Sequence, residues 1–153
     1  MNFHLAQLNV ARLLQPLDHA DTKEFIDGLI PVNALAESSN GFVWRLKDDA
    51  GDATAIEVFT DKMIIVNMSM WEDMETFKNF VYKTMHTEYI RNKSKWFEKH
   101  DTFYFVMWWV EAGHIPTVQE AKERLEYLQQ NGDSAFAFSM KKIFPQPNAN
   151  ASE

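Results

Sequence analysis

Met63-Ile64-Ile65-Val66-Asn67-Met68-Ser69-Met70, followed by Trp71, alternates as a strand does but is apolar on both sides. Ile64, Val66, Met68 and Met70 point one way; Met63, Ile65, Asn67, Ser69 and Trp71 point the other. Phe103 to Val110 repeats the pattern, with Tyr104, Val106, Trp108 and Val110 on one side and Phe103, Phe105, Met107 and Trp109 on the opposite one. A sheet built from such strands has two apolar faces, and neither can be left in water.

Outward from these strands, residues 3–12 alternate as an early strand, with Phe3, Leu5, Gln7 and Asn9 on one side and Ala6, Leu8 and Val10 on the other. Asp21-Thr22-Lys23-Glu24 has capping-box-like spacing and opens a helix to about Ser38, which Gly28 and Pro31 are expected to kink or divide. Asn40-Gly41 marks a turn and Phe42-Val43-Trp44-Arg45-Leu46 a second strand. Residues 47–61 read as an exposed acidic loop, whose Asp48-Asp49-Ala50-Gly51-Asp52 does not match a calcium-loop spacing. A helical pattern runs from Asp73 to about Lys99, with a break expected near Lys83–Met85 where the apolar stripe changes phase. Gly113 to Pro116 turns the chain, Thr117-Val118-Gln119-Glu120 is a capping box for a helix to Gln130, and Asn131-Gly132 stops it. Phe136 to Ser139 suggests a short edge strand, and Pro145 to Glu153 a flexible tail.

The order β-α-β-β-α-β with an extra helix is the ferredoxin-like one: an α+β domain over residues 1–144, with a four-stranded antiparallel sheet and helices on one face. Ile64, Val66, Met68 and Met70 suit the helix side. The opposite side, with Gln7, Asn9, Asn67 and Ser69 among its apolar residues, is expected to be covered by the same face of a second subunit, so a homodimer through the sheet is the expected partner.

Composition narrows the classes. The chain has 153 residues, 46% of them hydrophobic, which suits a packed domain rather than a disordered one. It has no Cys, which excludes disulfides, thiolate zinc sites, iron–sulfur clusters and cysteine nucleophiles. A net charge of −7 gives no field to attract a phosphate backbone, so nucleic acid is not an expected partner. No apolar run is long enough for a membrane span, and the start lacks the basic and apolar regions of a secretory signal, so a cytoplasmic location is expected. P-loop, G-x-S-x-G, G-x-G-x-x-G and H-E-x-x-H signatures are all missing, and no metal site is expected.

Gln7, Asn9, Asn67 and Ser69 share one face. Buried amides need partners, so these residues either line a cavity that takes a small apolar or aromatic ligand or satisfy one another across the strands. His86 lies on an aromatic stripe with Tyr82, Tyr89 and Ile90. It is a candidate base near neutral pH, a candidate axial ligand to haem iron, or a hydrogen-bonded packing residue. His114, in the Gly113–Pro116 turn, is a rim or turn residue. Trp71 closes the third strand beside the cavity side, and Trp44 and Tyr82 are further candidates to contact the ligand.

Met68-Ser69-Met70-Trp71-Glu72-Asp73-Met74-Glu75-Thr76-Phe77-Lys78-Asn79-Phe80 resembles the strand-to-helix segment of antibiotic-biosynthesis-type monooxygenases, of the dimeric α+β barrel superfamily. Over nearly the whole chain the sequence is similar to an uncharacterised bacterial family of that superfamily, through His4–Asn9, Val32–Glu37, Gly41–Leu46, Trp96-Phe97 and Trp108–Thr117. The resemblance implies a dimer of ferredoxin-like subunits and a monooxygenase, cofactor-independent or haem-dependent. Its substrate would be a small electron-rich aromatic or polyketide-like compound, in a pocket between sheet and helices of a homodimer. Haem-degrading members place an Asn on the first strand, a Trp at the end of the third and a His on the next helix; Asn9, Trp71 and His86 occupy comparable elements, although His86 comes later after the Trp than in those enzymes. In the cofactor-free reading His86 is the base, Asn9 and Asn67 orient substrate, and Trp71 packs on its ring. The alternatives are a haem-binding or haem-degrading protein with His86 as ligand, and a non-catalytic small-ligand-binding dimer.

Overall fold

A computed structural model describes residues 2–47, 63–85, 95–98 and 104–147 of the protein. In chain order the elements are β1 (Phe3–Arg12), α1 (Lys23–Ser38), β2 (Phe42–Arg45), β3 (Ile64–Trp71), α2 (Met74–Met85), β4 (Phe105–Glu111) and α3 (Val118–Asn131). The strands form one antiparallel sheet in the order β2-β3-β1-β4, which is the ferredoxin-like α+β arrangement. β1 lies in the interior of the sheet. Gln7 pairs with Ser69 on one side and Met107 on the other, and Asn9 pairs with Asn67 and Phe105.

The two faces are assigned to the opposite layers from those the sequence suggests. Ala6, Leu8, Met68, Met70, Val106 and Trp108 pack under α3, through Ala121, Leu125 and Leu128. All nine are no more than 1% exposed within the single chain. The odd-numbered face, with Leu5, Trp71 and Met107, is the one that takes α1 and α2, through Ala36 and Phe77. Alternation determines which residues share a face, not which helix lands on it. α3, which the sequence reading left without a face, supplies the second cover. Burial of the sheet therefore does not require the second subunit that an uncovered face would have demanded.

Other boundaries also differ from expectation. α1 runs unbroken through Pro31, because the carbonyl that loses its partner belongs to Asp27, and both residues are on the exposed side where water can replace the bond. Thr22, not Asp21, precedes α1, and its hydroxyl is spent on Pro16 O at 2.9 Å rather than on a cap. α2 is described as far as Met85, and the residues beyond the expected break near Lys83–Met85 lie outside the described ones. Residues 95–98, expected at a helix end, pair instead with the end of β1: Leu14 N donates to Trp96 O at 2.7 Å and Glu98 N to Arg12 O at 2.8 Å. This seats buried Trp96 beside Leu13, Phe25 and Ile65 on the odd face. The short edge strand reduces to one bridge, Met107 to Phe138, with both backbone bonds made at 2.8 and 3.0 Å. The acidic loop 48–61 and the end of the expected tail, 148–153, lie outside the described residues.

No helix among the described residues is long and apolar enough to cross a membrane. Because Leu125 is wedged between α3 and the even face, Leu125→Ala should lower stability by about 2–5 kcal/mol. Urea unfolding followed by tryptophan fluorescence measures it.

Candidate functional site

Register brings Gln7 and Ser69 face to face, and burial makes their polar ends meet. Gln7 Nε2 donates to Ser69 Oγ at 2.7 Å and to Asn67 Oδ1 at 2.9 Å. The Trp71 indole N–H, which can only donate, reaches the same Ser69 Oγ at 2.9 Å. Trp71 is fully buried and Gln7 and Ser69 nearly so, whereas Asn67 is open to solvent. Four of the residues singled out in the sequence thus form one hydrogen-bonded chain from the core to the surface.

Asn9 stands next to the outer end of that chain, directly opposite Asn67, and is also exposed. Among the described residues nothing hydrogen-bonds the Asn9 side chain, and Asn67 uses only its Oδ1. Both ends of the Asn9 amide and the Asn67 Nδ2 are therefore open to a further partner. The pair interrupts the apolar cover of the odd face. On one side lies the cluster of Leu5, Trp71, Phe77 and Met107, on the other that of Leu13, Phe25, Ile65 and Trp96. Aromatic rings wall the first cluster: Phe105, the neighbour of Asn9, stacks on Phe77 at 6.1 Å, and Trp71 stacks on Phe80 at 4.8 Å.

The remaining candidates go elsewhere. Trp44 pairs with Met70 and packs on the even face, because a bulge between Phe42 and Trp44 shifts the alternation of β2. The same shift carries Arg45, which the sequence reading passed over, into the Ser69–Gln7 row, where its Nε donates to Glu37 of α1 at 3.1 Å. Tyr82 is 68% exposed on α2 and borders a different depression, with Ser39, Asn40, Thr76 and Lys83. His114 belongs to the rim of the even face, before α3. His86 lies outside the described residues. Among the described histidines none is on the odd face: His4 is on the even side of β1, His19 accepts from Asp21 N ahead of α1, and His114 is as stated. No group of three His, Asp or Glu among the described residues is placed to hold a metal ion.

Residues 4–153 match the domain of unknown function DUF3291. The chain belongs to that family. It is also similar to NE2512, a protein of unknown function from Nitrosomonas europaea, at 14% identity and a TM-score of 0.43, over 75% of this chain and 96% of that one. No functionally curated protein matches it. Neither description names a reaction.

In this DUF3291 chain Glu120, expected only as the acidic residue of the capping box, has further partners. The Thr117 hydroxyl caps α3 as expected, accepting from Glu120 N at 3.1 Å. The Glu120 carboxylate does not return to the cap. One oxygen accepts from the fully buried Trp108 indole at 2.9 Å and the other meets His114 Nε2 at 2.7 Å. The spacing reveals the cap, but the destination of the carboxylate depends on the sheet beneath. One turn later Arg124 lies over the Phe136 ring, 3.7 Å from its centroid, and burial there pushes its guanidinium below the usual pKa, opposed by Glu120 and Glu123.

Ser69→Ala would strand the Trp71 indole N–H in the core. A loss of about 1–3 kcal/mol in chemical denaturation is expected, and Ser69→Thr, which keeps an acceptor, should recover part of it.

Proposed function

We propose that this protein binds a small electron-rich aromatic or polyketide-like compound at the Asn9–Asn67 row of the odd face, and acts on it as a monooxygenase. One observation carries the binding half of the reading: two amides opposed in register, open at their outer ends, set between two buried apolar clusters. Polar groups converging among apolar walls are the usual form of a small-ligand site. Gln7 holds Asn67 by its carbonyl oxygen, which leaves the Asn67 N–H groups to donate to a ligand hydroxyl, enolate or carbonyl oxygen. The half-buried Phe105 ring beside Asn9 offers a surface for the ligand ring.

The catalytic half rests on the resemblance of Met68–Phe80 to monooxygenases and on what such a site needs. An ionised phenol or enol passes an electron to O₂, the amides stabilise the anionic oxygen, and apolar walls exclude water. No bound cofactor is required for an electron-rich substrate of this kind. His86, which follows directly on α2 in the sequence, is the proposed base.

Titration with 2-naphthol, read by quenching of tryptophan fluorescence, tests the binding half. Saturable binding that Asn67→Ala and Asn9→Ala each weaken by about tenfold, or about 1.4 kcal/mol, is the expected outcome. Unchanged affinity in both variants would overturn the site. Oxygen uptake with hydroxylated aromatics, compared between the wild type and His86→Ala, tests the reaction. Binding without uptake would leave a non-catalytic ligand-binding protein, and a saturable haemin Soret shift lost in His86→Ala would favour the haem reading.

A further inference from the structure

The chain contains two Asn-Gly pairs, Asn40-Gly41 and Asn131-Gly132, and the fold treats them oppositely. An Asn side chain is attacked by the backbone nitrogen of the residue that follows it, and a following Gly has no Cβ to obstruct the approach. At the second pair both reacting groups are held. Gly132 N–H donates to Leu128 O at 2.8 Å at the end of α3, and Asn131 Nδ2 donates to Tyr127 O at 3.1 Å. At the first pair neither is. Asn40 is exposed in the turn closed by Phe42 N donating to Ser39 O at 3.2 Å, and among the described residues nothing accepts from the Gly41 N–H or bonds the Asn40 amide.

We infer that Asn40 is a site of intramolecular deamidation, selected by the fold over Asn131. Hydroxide removes the Gly41 amide proton, and the Gly41 nitrogen attacks the Asn40 Cγ. The N–Cγ bond forms, the Cγ–Nδ2 bond breaks, and ammonia leaves with a proton from water. Water then opens the five-membered imide at either carbonyl, giving aspartate or isoaspartate at position 40. No oxidant, reductant or enzyme is needed.

The isoaspartate product adds a methylene to the main chain where there is little slack. Gly41 O accepts from Glu72 N at 2.7 Å, tying the turn to the junction of β3 and α2. Gly41 also has φ of +84°, and the space a Cβ would need is already filled by the Thr76 side chain, 2.3 Å away. The next residue, Phe42, stacks edge-on against Trp71 at 5.6 Å. Lengthening the turn therefore disturbs the wall of the aromatic cluster, while the new carboxylate shares its depression with the Lys83 ammonium.

Incubating the full chain in mildly alkaline buffer, folded and in urea, and mapping peptides by mass spectrometry tests this. Position 40 should convert several-fold faster than position 131 in the folded protein, with isoaspartate detected by enzymatic methylation, and the two should convert at comparable rates in urea. Equal rates in the folded protein, a faster position 131, or conversion of position 40 only in urea would overturn the assignment. The isoaspartate fraction should also melt below Asn40→Asp, which carries the charge without the extra methylene. Equal melting would refute the transmitted strain.

Discussion

Pairing between β1 and β3 is the constraint on which the rest of this structure depends. Both strands are covered on both sides, so their register decides the content of two layers at once. With Gln7 opposite Ser69, the polar groups of both strands fall in one row and meet. A slip of one residue would set Gln7 opposite Met68 or Met70, so Gln7 would turn under α3 while Asn67 and Ser69 stayed on the odd face. The Gln7 amide reinforces the register, since it reaches Ser69 Oγ, the same oxygen that accepts from the buried Trp71 indole, only while the two strands pair this way.

The apolar excess on the second face is resolved within the chain. α3 brings Ala121, Leu125 and Leu128 onto the even side, and Glu120 at its start satisfies the indole of Trp108. That carboxylate joins helix entry to sheet burial, because the residue that ends the cap also meets a polar group in the core. The last described stretch completes the closure at the other edge: Phe138 pairs with Met107, and Trp109 Nε1 donates to Phe144 O at 3.0 Å. A face that alternation alone would leave bare thus becomes an interior.

Much of the candidate site was legible. Gln7, Asn67, Ser69 and Trp71 could be grouped because strand side chains repeat every second residue, and the structure joins those four. Of the two alternatives, mutual satisfaction is what the hydrogen bonds show. The inner members satisfy one another, and the outer pair, Asn9 and Asn67, stays open. Trp44 falls on the even face and Arg45 in the Gln7–Ser69 row because a bulge breaks the period locally, and nothing in five residues of sequence announces a bulge. Trp96 was read as helical because its neighbours have helical periodicity, but the free end of β1 offered backbone partners and won.

Sequence by itself determined the element order, the antiparallel α+β class, the two-sided burial of the third and fourth strands, and which polar residues share a face. Those properties follow from periodicity and capping, which are local and are written into consecutive residues. Only the tertiary structure decided that α1 and α2 lie on the odd face and α3 on the even one, that Glu120 serves Trp108, and that one Asn-Gly pair is held while the other is open. Each of these depends on what packs against a residue from a distant part of the chain, and side-chain alternation is identical whichever layer arrives.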